Sequence, residues 1–146
     1  MSIKASTGLR NKMLDSSSLR DALHLGFIKI YSGAVPADAD AAPTGTLLVT
    51  ISNASGATGL TMDTAAVAGA LPKAPAEVWS GVNAAGGVAT YYRHVAPGDT
   101  GALSATDARV QGLIANIGSD MNLTSTTLAL GATQSVDYYQ LSLPTL

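Results

Sequence analysis

Residues able to carry out chemistry are few in this chain and lie far apart. Asp38 and Asp40 stand in one short stretch, Pro-Ala-Asp-Ala-Asp, and clustered carboxylates of this kind are what the hard cation Ca²⁺ prefers. Their spacing matches the first two ligands of an EF-hand loop, but the glycine and the terminal glutamate of that loop are missing. We therefore interpret the stretch as a solvated loop and predict no metal ligands in it.

Histidine and cysteine chemistry is equally sparse. The chain has two histidines, His24 and His94, and no cysteine, whereas a zinc site needs three or four protein ligands. No nucleophile elbow, Gly-x-Ser-x-Gly, occurs, and the glycine-rich stretch at 81–87 lacks the spacing and the lysine of a phosphate loop. A Ser/His/Asp triad assembles only in the fold and stays open at this point. We predict a chain that is not an enzyme and binds no metal or cofactor.

Aromatic side chains offer the best candidates for a contact surface. Trp79 and two tyrosine pairs, Tyr91–Tyr92 and Tyr138–Tyr139, fall in predicted strands. Neighbours in a strand point to opposite faces, so one ring of each pair is expected inside and the other outside. An outward ring could stack on a glycan or on a partner protein. We select Tyr92 and Tyr139 as candidate docking residues, and core or interface packing is favoured over glycan binding.

The scarce charge is unevenly distributed. Charged residues make up 12% of the 146 residues and the net charge is −2, so the dense basic face of a nucleic-acid binder is missing. No apolar run approaches the roughly 20 residues of a membrane helix. Weak mutual repulsion favours packing against other copies of the chain, as in a homo-oligomer. Five of the eight basic residues precede position 30. The candidates for docking on an acidic neighbour, with a solvated helix face as the alternative, are Lys4, Arg10, Lys12 and Arg20.

Residues 1–26 are predicted to form a helical N-terminal arm. Thr7 is placed to cap a short helix at 8–14, and Ser17 or Ser18 to cap a second one that includes Asp21. Gly26 stands where a left-handed C-terminal cap belongs. The different periodicity and the basic charge distinguish this arm from the rest of the chain.

From residue 27 onward the hydrophobic period changes to two, which is typical of strands. Turn signals rich in Gly, Pro, Asn and Asp separate short β-branched segments, often 8–12 residues apart on the pattern of sandwiches and barrels. We predict one domain, with a β-sandwich or jelly-roll body over 27–146 in antiparallel arrangement. About eight strands are expected, at 27–32, 46–53, 60–62, 77–82, 88–95, 110–115, 125–130 and 135–143.

Short motifs spread over most of the chain carry a likeness to one group of proteins. They are Ser-Thr-Gly-Leu-Arg-Asn at 6–11, Ser-Leu-Arg-Asp-Ala at 18–22, Ile-Lys-Ile-Tyr-Ser-Gly at 28–33, Pro-Ala-Asp-Ala at 36–39, Gly-Thr-Leu-Leu at 45–48, Glu-Val-Trp-Ser-Gly at 77–81 and, more weakly, Asn-Leu-Thr-Ser at 122–125. Together these motifs resemble small virion structural proteins of tailed bacteriophages. None of them carries catalytic meaning.

The resemblance implies a non-enzymatic part of a phage particle, assembled in the host cytoplasm and then located in the virion. The first expectation is a capsid decoration or cement protein, a small β-sandwich or jelly roll that binds the outer surface of the major capsid protein. A tail, collar or head–tail component is the alternative, and a glycan-binding module on the virion surface is another. If the N-terminal arm reaches across the joint between two capsid subunits, its contacts must exceed the entropy that it loses on becoming ordered. Deleting residues 1–26 is then expected to abolish particle binding and leave the β-body folded.

Overall fold

Short antiparallel strands dominate the computed structural model, which describes residues 3–143. Residues 1–2 and 144–146, which the predicted arm and body include, lie outside the described part. No helix within residues 3–143 is long and apolar enough to cross a membrane. The described elements are, in chain order, β1 (Lys4–Ala5), α1 (Thr7–Asp15), α2 (Leu19–Ala22), β2 (Phe27–Tyr31), β3 (Leu47–Asn53), β4 (Ala70–Pro72), β5 (Trp79–Val82), β6 (Gly87–Val88), β7 (Tyr91–Val95), β8 (Arg109–Ala115), β9 (Met121–Asn122), β10 (Thr127–Leu128), β11 (Thr133–Ser135) and β12 (Gln140–Ser142).

The main sheet of the described residues has the strand order β1-β8-β7-β2-β3-β5-β11. Strand β9 runs parallel to the end of β8, and the other pairings in this sheet are antiparallel. Two further antiparallel pairs, β6 with β10 and β4 with β12, lie outside it. The predicted mainly-β class is confirmed, and the architecture is consistent with a β-sandwich.

Strand β2 shows why this sequence folds as it does. Ile28 and Ile30 alternate with more polar residues, and both are completely buried. On one side of β2 they face Ile51 and Val49 of β3. On the other side they face His94 and Tyr92 of β7. The two-residue period of the sequence therefore marks the core face of the sheet correctly.

An aromatic cluster fills the centre of that core. The Trp79 and Tyr139 ring centroids lie 5.4 Å apart, and Tyr92 meets Tyr139 edge-on at 5.9 Å. Tyr92 lies over Gly112 on β8, where an added Cβ would come 2.6 Å from the tyrosine ring. The large rings thus need a residue without a side chain beneath them, and Gly112 supplies it.

The N-terminal segment packs into the β-body. Strand β1 pairs with β8, Leu9 and Leu23 are almost completely buried, and the Ser6 hydroxyl accepts a hydrogen bond from the Arg109 amide. At Gly8 an added Cβ would lie 2.3 Å from the Thr106 carbonyl carbon. Helix α1 therefore packs directly against the loop between β7 and β8. The described part of residues 1–26 is therefore continuous with the core and does not form a projecting arm.

Two details of the helix caps differ from the sequence prediction. Ser6, and not Thr7, caps α1 by accepting from the Leu9 amide, because a neighbouring carboxylate engages the Thr7 side chain. The left-handed residue after α2 is Leu25, with φ of 57°, and not Gly26. Gly26 is glycine for another reason, since an added Cβ would lie 2.1 Å from a carbonyl oxygen of β7. Ser18, one of the two predicted candidates, caps α2.

Several predicted strands are shorter or interrupted. Residues 60–62 make only isolated bridges, and the segment 125–130 keeps two strand residues, Thr127–Leu128. The segment 135–143 is divided into β11 and β12, because the chain leaves one sheet to join the other between them. Sequence periodicity alone does not indicate where a strand changes sheets.

Candidate functional site

Both tyrosines selected as docking residues lie in the core. Tyr92 is completely buried and Tyr139 is 3% exposed, so neither is accessible to a partner and this part of the prediction is corrected. They are inside because both rings pack into the aromatic cluster with Trp79. Tyr138, the neighbour not selected, is 74% exposed. One tyrosine of this pair therefore faces the core and the other faces solvent, as expected, but the exposed one is Tyr138 and not the selected Tyr139.

The first tyrosine pair is buried on both faces of the sheet. Tyr91 points away from Tyr92 and stacks on Tyr31, with ring centroids 5.0 Å apart. Both Tyr31 and Tyr91 are buried, and the residue after Tyr31 begins a long connection at 32–46 that returns to β3. Within residues 3–143, Tyr138 is consequently the only tyrosine on the surface.

The four selected basic residues are engaged locally and do not converge on one cleft. Lys4 donates to the Ala37 carbonyl at 2.6 Å, and Arg10 donates to the Thr7 hydroxyl. Arg20 donates to the Thr64 carbonyl. Lys12 lines a cavity of about 330 Å³ near the ends of α1 and α2. Solvent-exposed contacts of this kind bring little stability.

The two carboxylates considered as calcium ligands accept hydrogen bonds from backbone amides. Asp38 accepts from the amides of Asp40 and Ala41 and so closes a turn. Asp40 accepts from both the amide and the hydroxyl of Thr7 at the start of α1. The Thr7 hydroxyl bond is the main cause that lowers the pKa of Asp40. Among residues 3–143 no three His, Asp or Glu side chains are grouped so that they could hold a metal ion.

A pair of buried arginines, missed at the sequence level, organises the outer face of the main sheet. Arg93 donates to the Gln111 side chain and to the carbonyls of Asp38 and Ala41. Gln111 in turn donates to the Pro36 carbonyl. The long connection before β3 is thus fastened to the sheet by guanidinium and amide donors. Arg93 and Gln111 are direct cross-strand neighbours, a pairing that the sequence alone does not specify.

Arg109 forms the second half of this arrangement. Its Nε lies 2.6 Å from Asp99 Oδ2, and both side chains are essentially unexposed. It also donates to the carbonyls of Asp40 and Ala102. Burial opposes ionisation of Asp99, but the hydrogen bonds and charge of Arg109 outweigh it and lower the pKa of that carboxyl. One side chain therefore fixes two loops on the same face.

His94 is a completely buried titratable group of the aromatic cluster. Its Nδ1 lies 3.3 Å from the Tyr139 hydroxyl, and its Nε2 has no hydrogen-bond partner within the described residues. Burial lowers the pKa of His94 to about 4. The ring is therefore neutral near pH 7, and its one side-chain hydrogen bond there is to a tyrosine. This geometry matches a packed core histidine and not a member of a Ser/His/Asp triad.

One end of the sandwich exposes six aliphatic side chains, with the carboxylate of Asp120 bonded to the Leu113 amide beside them. Leu47 of β3 pairs with Tyr31 at the end of β2. Leu113 of β8 pairs with Tyr91 of β7, which itself pairs with Tyr31. Backbone hydrogen bonds join the turn after β5 to the segment around Gly131. The chain segments here, 44–62, 78–92, 110–119 and 121–136, contain no charged residue. We call the exposed set the apolar end: Leu47, Val82, Val88, Leu113, Ile117 and Leu130.

A groove of about 850 Å³ opens beside this end. Strands β9 and β12 border it, and Tyr138 and Asp137 lie on the segment that leads into β12. No member of the apolar end lines it. The groove and the apolar end are therefore two separate surfaces, and together they are the candidate sites.

Comparison with protein-family models, with curated proteins and with solved structures gives no match for this chain. The likeness to phage virion proteins therefore stays a prediction that the comparisons do not test. The short motifs and the chemistry of the two candidate surfaces are the features of the chain that bear on its function.

Proposed function

We propose that the chain is a non-enzymatic virion structural protein, a capsid decoration or cement protein that binds the outer surface of the major capsid protein. The apolar end is the observation that carries the proposal. Exposed aliphatic side chains grouped at one end of a fold are typical of protein–protein contact surfaces. The motifs at 6–11, 28–33 and 77–81, which resemble phage virion proteins, indicate what kind of neighbour this surface meets.

The physical chemistry of the apolar end suits a permanent contact. Aliphatic surface contributes roughly 25 cal/mol for each Å² removed from water, and a stable interface buries about 800 Å² on each partner. The six exposed aliphatic side chains of the end carry no charge. Asp120, whose carboxylate accepts from the Leu113 amide, is a charged group at this surface that a partner must leave solvated or pair. A rigid β-body then holds the contact residues in place, so little ordering entropy opposes binding.

The test uses particles of the phage that encodes the chain, stripped of it and then incubated with purified variants. Val88→Asp and Ile117→Asp place a carboxylate in the apolar end. We expect each to weaken particle binding at least about tenfold, since burying an unpaired carboxylate costs several kcal/mol. Binding is measured by co-sedimentation, and thermal melting verifies that each variant is folded.

Matched controls carry the same substitution at the opposite end of the molecule. Leu14 is 86% exposed, as is Ile117, and it lies at the end of α1. Val67 is also exposed, on the loop whose Thr64 carbonyl contacts α2. Leu14→Asp and Val67→Asp should bind like the unaltered chain. Equal binding by all four variants, or cryo-electron microscopy density confined to the tail, would overturn the proposal.

A further inference from the structure

The groove beside β12 presents a row of uncommitted side chains. Along this segment Tyr139 and Leu141 are buried, whereas Tyr138, Gln140 and Ser142 alternate with them and are exposed. All three exposed residues line the groove. Gln140 and Ser142 are alternate residues of β12, so they share one face and lie about 7 Å apart, and Tyr138 stands two residues before the strand. A ligand extended along the row would meet an aromatic ring, an amide and a hydroxyl in turn.

The groove combines an apolar floor with a polar rim. Met121, Leu123 and Val136 are buried residues of its lining. Asp137 and Gln140 stand exposed on the rim. The side chains of Asp137, Tyr138 and Gln140 make no hydrogen bond to any other part of the chain within residues 3–143. Among the described residues nothing engages their polar atoms, which can therefore bond an external partner.

The charge of the groove lining indicates which class of ligand can bind there. The lining includes two carboxylates, those of Asp120 and Asp137, and none of its described residues is basic. An anion such as a phosphate or an acidic polysaccharide would be repelled, because none of the described lining residues carries a positive charge to compensate it. A peptide added as a strand is disfavoured as well, since β9 and β12 are only two and three residues long and offer few backbone hydrogen bonds.

We propose that this groove binds a neutral oligosaccharide, with the Tyr138 ring stacked on the apolar face of one sugar unit. Asp137 and Gln140 would accept and donate hydrogen bonds to the hydroxyl groups around it. An exposed aromatic ring flanked by a carboxylate and an amide fits the two chemical faces of a sugar, one of C–H groups and one of hydroxyls. This activity is separate from particle docking, because the groove and the apolar end share no residue.

The test is a titration of the full chain with maltohexaose and cellohexaose as neutral probes and with polygalacturonate as an anionic one. Binding is followed by calorimetry and by amide shifts in NMR spectra. We expect a neutral probe to shift amides of the groove. Loss of aromatic stacking in Tyr138→Ala should weaken its affinity about five- to tenfold, whereas Tyr138→Phe should keep most of it.

Control measurements separate this proposal from the proposed function. Leu130→Ala alters an exposed residue outside the groove and should leave sugar affinity unchanged. Tyr138→Ala should still bind particles, and Val88→Asp should still bind the sugar. Several outcomes would overturn the proposal: no neutral probe binds, Tyr138→Ala binds a probe as the unaltered chain does, or polygalacturonate binds more tightly. Self-association that Tyr138→Ala abolishes would also do so, because a second copy would then occupy the groove.

Discussion

At the level of single residues, His94 makes the stability of the core depend on pH. Its ring is fully enclosed, with Trp79, Tyr92 and Tyr139 as neighbouring aromatic groups. Only the neutral ring fits this environment, because burial penalises the imidazolium. In the unfolded chain the same ring is solvated and takes up a proton near its ordinary pKa of 6.5. The unfolded state therefore binds more protons than the native state as the pH falls below that value.

We expect the free energy of unfolding to decrease as the pH falls from about 6.5 towards the folded pKa of about 4. Because the folded pKa is the lower one, stability rises with pH across this window and is fully present above it. The difference corresponds to about 3 kcal/mol. Urea unfolding at a series of pH values measures it.

The matched variant for this measurement is His94→Phe, which keeps a ring in the cluster and removes the titration. Asp40, Glu77 and Asp99 also have lowered pKa values, but they titrate in both chains and cancel in the difference. The pH dependence between 4 and 6.5 should be much flatter in the variant. Identical slopes in the two proteins would show that His94 is not responsible.

At the level of elements, the buried arginines decide how the loops lie on the sheet. Replacing Asp99 by alanine leaves the Arg109 guanidinium buried without its closest carboxylate, which lies 2.6 Å away. Breaking a buried pair in this way costs about 3–5 kcal/mol. We expect Asp99→Ala to lower the free energy of unfolding by that amount. Amide exchange in the loops at 33–46 and 96–108 should become faster, because Arg109 fastens both.

Asp21→Ala is the control for that experiment. It removes the exposed pair with Arg20, whose atoms are 3.6 Å apart, and pairs of this kind contribute about 0–1 kcal/mol. The two variants lose the same chemical group but differ in burial. If Asp99→Ala destabilised the protein no more than Asp21→Ala, the buried pair would not fix the loops.

The sequence identified elements well where burial follows a simple period. Strands β2, β3, β7 and β8 were found because their core-facing residues alternate, and α2 was found from its Ser18 cap. The same reasoning failed on the outer face of β7 and β8. An arginine at an alternating position of a strand is expected to face solvent, and the sequence does not show that loops cover it. Arg93 and Arg109 are satisfied by loop carbonyls far along the chain, and those partners depend on the tertiary fold.

The candidate surfaces were less accessible to sequence reasoning. Alternation correctly indicated that one of Tyr138 and Tyr139 faces outward, but it did not give the phase, which depends on where β12 joins β4. The long uncharged segments were visible in the sequence. Their meeting at one end of the sandwich follows from the strand order, which local patterns do not specify.

At the level of the whole molecule, the N-terminal segment belongs to the folding unit. Strand β1 covers part of the β8 edge, and the Ser6 hydroxyl bonds both the Asp107 carbonyl and the Arg109 amide. Leu9 and Leu23 contribute two almost fully buried side chains to the core. Truncating one such leucine to alanine typically costs about 2–5 kcal/mol. Total domain stability is only about 5–15 kcal/mol.

We therefore expect a chain that lacks residues 1–26 to lose cooperative folding, in contrast to the folded β-body that the arm hypothesis predicts. Circular dichroism melting and the dispersion of amide NMR signals measure this directly. Arg10→Glu combined with Lys12→Glu is the control, because it reverses charge on the surface of α1 and leaves the buried leucines in place; this variant should melt cooperatively. A truncated chain that melted cooperatively with dispersed signals would show that the segment is a separable arm after all.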